Sequence, residues 1–376
     1  MKKLLIIYPI LLSLSLLSCG RKIPNEVNYE VSDHEINERH TDLQSTLLEQ
    51  SNPSNYIRDN QSLFLEGDNK DQPKPYVLEF SESNDTGDSA DYYQLEISET
   101  NTFEKSYKYR SGSKSFNLYN LVNGDYFYKI HSIYGDKTFT SEVKEISVDT
   151  SSPRNLFVDG VINFRDLGGW NIGENRIYKQ GLIYRTAQFD YDESSSNPIK
   201  SKPTSSGLET LKGELGIKTD LDLRRKSELG EASGSPLGSD INYVSTPMYF
   251  GGTNIFTNEE NVSSLKSFFT TLADESNYPI AFHCVRGTDR TGALAYVIGA
   301  LVGMSEEDLL MDYVFSSLAD VNSLVLAFDI MGSNFYVQGI RNSDGDNLSQ
   351  KAKNYLINNV GVNESTLNNI IDILVD

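Results

Sequence analysis

The stretch His283-Cys284-Val285-Arg286-Gly287-Thr288-Asp289-Arg290-Thr291-Gly292 constrains this chain more than any other part of it. An apolar run over 278–282 leads in, and an apolar helical pattern over about 291–302 leads out. A strand, a tight loop and a helix N-terminus in that order form an anion cradle. Successive backbone N–H groups point inward, and the helix dipole adds positive potential at the same spot. A thiol held there ionises more readily than a free cysteine, whose pKa is roughly 8.5. Arg290 offers a planar, two-pronged donor for two oxygens of one phosphate group.

With its His-Cys, five residues, Arg, Thr and Gly, this segment resembles the signature loop of cysteine-dependent protein tyrosine phosphatases. The resemblance implies that Cys284 is a nucleophile, Arg290 the phosphate-binding arginine, and Thr291 the hydroxyl that assists breakdown of a phospho-enzyme. Val285, Arg286, Gly287 and Thr288 would contact substrate, largely through backbone N–H groups. His283 would orient the loop and lower the thiol pKa without acting as a base. A second segment, Val161-Ile162-Asn163-Phe164-Arg165-Asp166-Leu167-Gly168-Gly169, is similar to the opening motif of the bacterial atypical branch. Later pieces at 181–187 and 216–224 fit the same branch, so the resemblance covers about residues 154–376. It implies an α/β phosphatase domain with a central sheet and flanking helices, the signature loop standing at the carboxyl edge of a central strand.

Two-step phosphomonoester hydrolysis through a cysteinyl-phosphate is the chemistry such a loop supports. The cradle supplies its own positive field, so neither a metal nor another cofactor is expected. The general acid is less directly legible. The single tryptophan, Trp170, is followed by Asn171-Ile172 and not by the Pro-Asp of a mobile acid loop. The stretch 246–261 offers only Glu259 and Glu260 as carboxylates. Asp289, inside the loop as the atypical branch has it, is the favoured acid, with Asp222 next. Arg165, Asp166 and Arg224 fit either substrate contact or a buried charge network. Arg185 matches a position that lines the substrate mouth in relatives. Relatives also usually carry lysine where this chain has Thr288, a residue linked there to anionic or lipid substrates.

The formal net charge of −20 argues against a nucleic-acid partner, because phosphate backbones require basic faces. Met1-Lys2-Lys3 and the apolar run over 4–17 read as a secretory signal too short to span a bilayer comfortably. It ends Leu16-Leu17-Ser18-Cys19, which resembles a bacterial lipobox and implies a lipid on Cys19. A signal peptide over 1–18 and a membrane-anchored, extracytoplasmic monomer are therefore expected. The chain has two cysteines, Cys19 and Cys284; each has a separate chemical role, and no disulfide is expected.

Residues 19–74 are polar and acidic and read as a flexible tether, with a short helix near 42–50. Its His34 and His40 suggest no metal site. Over 75–150 short alternating runs at 76–80, 92–98, 115–119, 126–133 and 142–148, separated by turn clusters, predict a small β-sandwich. The 121–128 piece resembles a loop-to-strand corner of fibronectin type III domains. Beyond 154, strands are expected at 218–223, 241–246 and 278–283. Helices are expected at 205–213, 262–275, 305–318, 349–358 and 365–375.

The leading expectation is a phosphatase for phosphotyrosine, and also phosphoserine/threonine, on a phosphorylated protein or peptide. A phosphoinositide or other small phosphate ester is the second enzyme reading, against which the missing lysine counts. A non-catalytic phosphate-binding or adhesin-like surface protein is the third. The intact Cys284 and Arg290 argue against it.

Overall fold

The computed structural model describes residues 22–65, 70–173, 175–191, 199–229, 234–249, 255–319, 325 and 337–376. Cys19 and the expected signal peptide lie outside the described residues.

Short alternating runs in the first half of the chain pair as strands. One sheet carries, in spatial order, His34–Ile36, Lys144–Val148, Gly124–Tyr134, Tyr92–Ser98 and Tyr107–Ser111, with Lys137–Thr140 folding back on Gly124–Tyr134. Two short ladders, Tyr76–Glu79 with Ser115–Leu118 and Val27–Glu30 with Ser81–Asn84, complete the unit. Alternation puts Leu95, Ile97, Tyr128, Ile130 and Ile146 of the larger sheet on one face. There they meet Leu78, Phe116 and Leu118 of the smaller in a common core. The aromatic rings are spent on this core. Phe80 packs edge-on against Tyr93 with centroids 5.2 Å apart and stacks on Phe116 at 6.1 Å.

Residues 22–65 and 70–74 are not a loose tether. They contribute the strands Val27–Glu30 and His34–Ile36 and the helices Asp42–Leu48, Pro53–Asp59 and Gln61–Leu65. Each helix is anchored by one buried apolar residue: Leu47, Ile57 and Phe64 belong to the same core as Leu294, Phe315 and Leu367 of the C-terminal half, with Leu43, Leu48 and Tyr56 packed beside them. His40 closes the packing, its Nε2 lying 2.9 Å from the Pro153 carbonyl and its ring edge-on to Phe315. These helices are only five to seven residues long, too short for an apolar period to accumulate in a polar background.

The C-terminal half is built on a six-stranded sheet in the order Arg154–Asn155, Arg165–Asp166, Ile183–Thr186, Ile280–His283, Thr219–Asp222, Asn242–Ser245. The last four strands are parallel, and Ile280–His283 is held between two neighbours. His283 is in register with Thr186 on one side and Asp222 on the other, so three strands deliver their carboxyl ends to one place. Both faces are covered, which accounts for the uninterrupted burial of these strands. The covering helices are Val262–Leu272, Asp289–Val302, Glu306–Val314, Leu348–Tyr355 and Glu364–Leu374; the first and third lie inside the expected ranges, and the other three begin one or two residues earlier. Ser305 caps the third of them by accepting the Asp308 N–H at 3.1 Å.

The two halves are joined by buried polar contacts. Arg154 pairs with Asp166 and also donates to the carbonyls of Asn120 and Leu121 at 2.9 and 3.0 Å. Tyr109 of the sandwich donates its hydroxyl to Glu214 across the same seam.

Candidate active site

Residues 284–288 form the loop between the central strand Ile280–His283 and the helix Asp289–Val302. Gly287 turns the chain at φ 71°, and a Cβ there would meet the Thr186 carbonyl oxygen at 2.4 Å. Only glycine suits both the backbone angle and the approach. Gly292, one turn into the helix, lets Tyr313 come within 2.7 Å of where a Cβ would stand.

Four successive carbonyls of the loop are tied to donors outside its concave face. The Cys284 carbonyl faces His283 Nδ1 at 3.2 Å, and Val285 O accepts from the Gln188 N–H at 3.2 Å. Arg286 O accepts from Asn163 Nδ2 at 3.0 Å, and Gly287 O from an Arg185 guanidinium nitrogen at 2.7 Å. A peptide whose carbonyl is held outward presents its N–H to the opposite side. The loop is thereby set as an anion nest at the N-terminus of a buried 14-residue helix.

Cys284 lies at the base of this nest, buried and with a free thiol. Burial pushes its pKa up. The Arg290 charge, the Thr291 hydroxyl and the Thr291 backbone N–H outweigh it, holding the thiol below its ordinary value although Asp289 opposes them. Among the described residues the buried Thr291 hydroxyl has no nitrogen or oxygen partner, and the Cys284 sulfur is the group it serves. Beneath the thiol, His283 has acceptors at both ring nitrogens: the Cys284 carbonyl at 3.2 Å and Asp220 at 2.9 Å. Both partners are acceptors, an arrangement that favours the imidazolium. Burial works against that charge, but Asp222 and Asp220 raise the His283 pKa above its usual value.

Arg290 is oriented by a residue the motif reading missed. Glu228, on the helix Lys226–Leu229, accepts from both terminal nitrogens of Arg290 at 2.7 and 2.8 Å, and the Leu223 carbonyl accepts a further bond at 3.2 Å. The only sequence hint was its place four residues after Arg224 in a charged run, a weak signal on its own.

The remaining charged candidates fall into two buried networks. Arg224 forks onto Asp222, with contacts of 2.7–3.1 Å, and onto Asp190 at 2.5 and 3.0 Å. Asp222 also accepts from Tyr243 at 3.2 Å and is fully buried. Burial alone would raise its pKa, but His283 and Arg224 bring it below the ordinary value. So engaged, Asp222 has no route to a leaving group, and the second-ranked acid is removed. Behind the loop, Arg165 donates to Asp312 at 3.1 Å and to Asn163 at 2.6 Å, and Arg185 also bonds Asp312. Arg185 has no exposed surface. It braces the Gly287 carbonyl from below and does not line a substrate mouth. Arg165 and Asp166 are likewise architecture, Asp166 being closed off by Arg154 and the N–H groups of Gly168 and Gly181.

Val285, Arg286 and Asp289 are the loop positions with exposed surface, whereas Thr288 is buried. Asp289 begins the helix, close enough to act electrostatically on both Cys284 and Arg290. Among the described residues, no three His, Cys, Asp or Glu side chains gather closely enough to hold a metal ion.

The model of the tyrosine phosphatase family matches residues 156–376. A Cupriavidus necator protein named "Putative tyrosine-protein phosphatase" is 25% identical over 198 residues, covering 46% of this chain and 67% of that protein. Similar solved structures include the core catalytic domain of the PP-IP phosphatase SIW14 from S. cerevisiae, with 21% identity and a TM-score of 0.26, covering 40% of this chain and 76% of that one. P. aeruginosa TpbA is another, with 17% identity and a TM-score of 0.25 over 39% of this chain and 76% of that one. From the family match over its C-terminal half, this chain belongs to the tyrosine phosphatase family.

Proposed function

We propose that the chain hydrolyses phosphotyrosine, and also phosphoserine/threonine, in proteins or peptides through a cysteinyl-phosphate on Cys284. The observation that carries this reading is the set of four outward-tied carbonyls around a thiol whose pKa lies below the ordinary value. Cys284 attacks phosphorus, and the sulfur–phosphorus bond forms as the ester oxygen leaves. Arg290 and the N–H groups of the nest hold the equatorial oxygens while charge moves across them. Water then cleaves the sulfur–phosphorus bond, assisted by the Thr291 hydroxyl. Asp289 gives its proton to the leaving oxygen and recovers one from the water. Turnover of a phosphotyrosine peptide against an inositol phosphate, at equal concentration, tests the substrate class. A clear preference for the inositol phosphate would replace this reading.

Asp289→Asn tests the acid. Phosphotyrosine hydrolysis should fall by roughly two orders of magnitude, because its phenolate leaves poorly without a proton. An aryl phosphate with a strongly acidic phenol should lose much less. Equal losses on the two substrates would make Asp289 a structural member of the loop.

The same proposal places the protein at a membrane through a lipid on Cys19, with the fibronectin type III-like sandwich between anchor and enzyme. Mass spectrometry of the mature N-terminus reads this directly. An unmodified N-terminal residue would refute the anchor and leave the catalytic reading untouched.

A further inference from the structure

Behind the nest, Arg165 and Arg185 sit fully buried, and Asp312 bonds both of them. Two guanidinium charges on one carboxylate are poorly balanced in a buried setting. A second carboxylate arrives from outside the family-matched region. Asp71 is buried and acts on Arg165 electrostatically, and its Oδ2 accepts from the Asn163 backbone N–H at 2.6 Å. Asn163 stands at φ 58°, the left-handed conformation that asparagine adopts more readily than most residues with a side chain. Its side chain links Arg165 to the nest. Oδ1 accepts from Arg165 at 2.6 Å, and Nδ2 donates to the Arg286 carbonyl at 3.0 Å.

Asp71 is itself fixed by a built device. The fully buried Gln44 donates from Nε2 to the carbonyls on either side of it, Lys70 at 3.0 Å and Gln72 at 2.9 Å. Gln44 Oε1 meanwhile accepts from the Thr41 backbone N–H at 3.1 Å, as half of a capping box on the helix Asp42–Leu48. A continuous line of bonds thus runs from that helix through Gln44, Asp71 and Asn163 to a loop carbonyl.

We propose that Asp71 is a positioning residue for the anion nest, acting through Asn163 to keep the Arg286 carbonyl turned away from bound phosphate. Residues 39–65 and 70–74 are then part of the catalytic unit. Its effect on turnover rests on the phosphatase reading; its effect on anion binding does not. A carbonyl released to swing inward would set a partial negative charge against the phosphate oxygens and remove an N–H from them.

The test uses the full chain, with tungstate affinity by calorimetry beside kcat/KM on an aryl phosphate. Asp71→Ala should weaken tungstate binding and lower kcat/KM by about tenfold each, the scale of one lost buried hydrogen bond. Asp71→Asn keeps an oxygen acceptor for the Asn163 N–H and should stay within about threefold of wild type. Because Asp71 acts through Asn163, adding Asp71→Ala to Asn163→Ala should cost no more than about twofold beyond the single variant. Gln44→Met leaves Asp71 in place, frees its loop, and should weaken tungstate by at least about threefold. It serves if Asp71→Ala does not fold. Tungstate affinity within twofold of wild type in the folded Asp71→Ala or Gln44→Met variant, or fully additive losses in the double variant, would overturn the proposal. Tungstate binding is read without turnover, so failure of the phosphatase reading would be recognised separately, as intact anion binding with no hydrolysis.

Discussion

Cys284→Ser is expected to bring phosphomonoester turnover below about 1% of wild type, a barrier increase of at least ~2.7 kcal/mol at 1.36 kcal/mol per decade. Phosphopeptide binding should survive. A serine hydroxyl is far too basic to ionise under the conditions that make this thiol a thiolate. Yet the outward-tied carbonyls of Cys284, Val285, Arg286 and Gly287, and the Arg290 fork, do not depend on the sulfur. The same thiol gives a pH test. Its pKa is held below the ordinary value by Arg290 and Thr291 against burial, so the thiolate forms at lower pH than in a free cysteine. Inactivation by iodoacetate should therefore titrate in with a midpoint below that of a free thiol, and a bound oxyanion should protect against it. Retained turnover in the serine variant, or an alkylation midpoint at or above the free-thiol value, would remove Cys284 from the nucleophile's role.

The catalytic half was legible because its sequence signals are local. The apolar run into His283 and the glycine at 287 are short-range consequences of a strand that must stop and a loop that must turn. The helices Val262–Leu272 and Glu364–Leu374 show periodic burial that eleven residues suffice to display, whereas Asp289–Val302 is buried on every side and reads as a nearly continuous apolar run. The supporting residues were illegible for the opposite reason. Glu228 lies 62 positions from the arginine it orients, and Asp312 lies 127 from Arg185. Neither distance leaves a trace in spacing. The N-terminal segment was misread because composition reports average polarity, whereas its order comes from single contacts. Leu47 or Phe64 supplies one buried side chain to a short helix, and Gln44 and Asp71 are polar residues satisfied inside the protein. A buried aspartate and a solvated one look identical in a sequence. The same ambiguity surrounded Asp222, whose carboxylate the structure finds consumed by Arg224, Tyr243 and the charged His283.

Arg290→Lys keeps the charge and should nevertheless cost about a hundredfold or more in kcat/KM, near 2.7 kcal/mol. Two of the guanidinium nitrogens already face Glu228, at 2.7 and 2.8 Å, and the Leu223 carbonyl takes a further bond at 3.2 Å. That anchoring sets the plane of the group. A lysine ammonium is a point charge on a flexible stem, with three donors and no plane. If it turns to Glu228 it leaves the phosphate; if it turns to the phosphate it leaves Glu228 with only Arg225 beside it and next to an incoming dianion. The Arg290 charge is also among the influences that hold the Cys284 pKa down, so any displacement of the cation pushes the thiol back up. The lysine variant should therefore show a basic shift of the acidic limb of its kcat/KM profile together with the loss of rate, and weaker tungstate binding. Glu228→Gln offers the complementary comparison: it keeps an oxygen acceptor for Arg290 and loses the charge, so a smaller effect than that of Arg290→Lys is expected. A lysine variant within threefold of wild type, with an unmoved acidic limb, would mean that Arg290 contributes charge alone and that the fork onto Glu228 is structural.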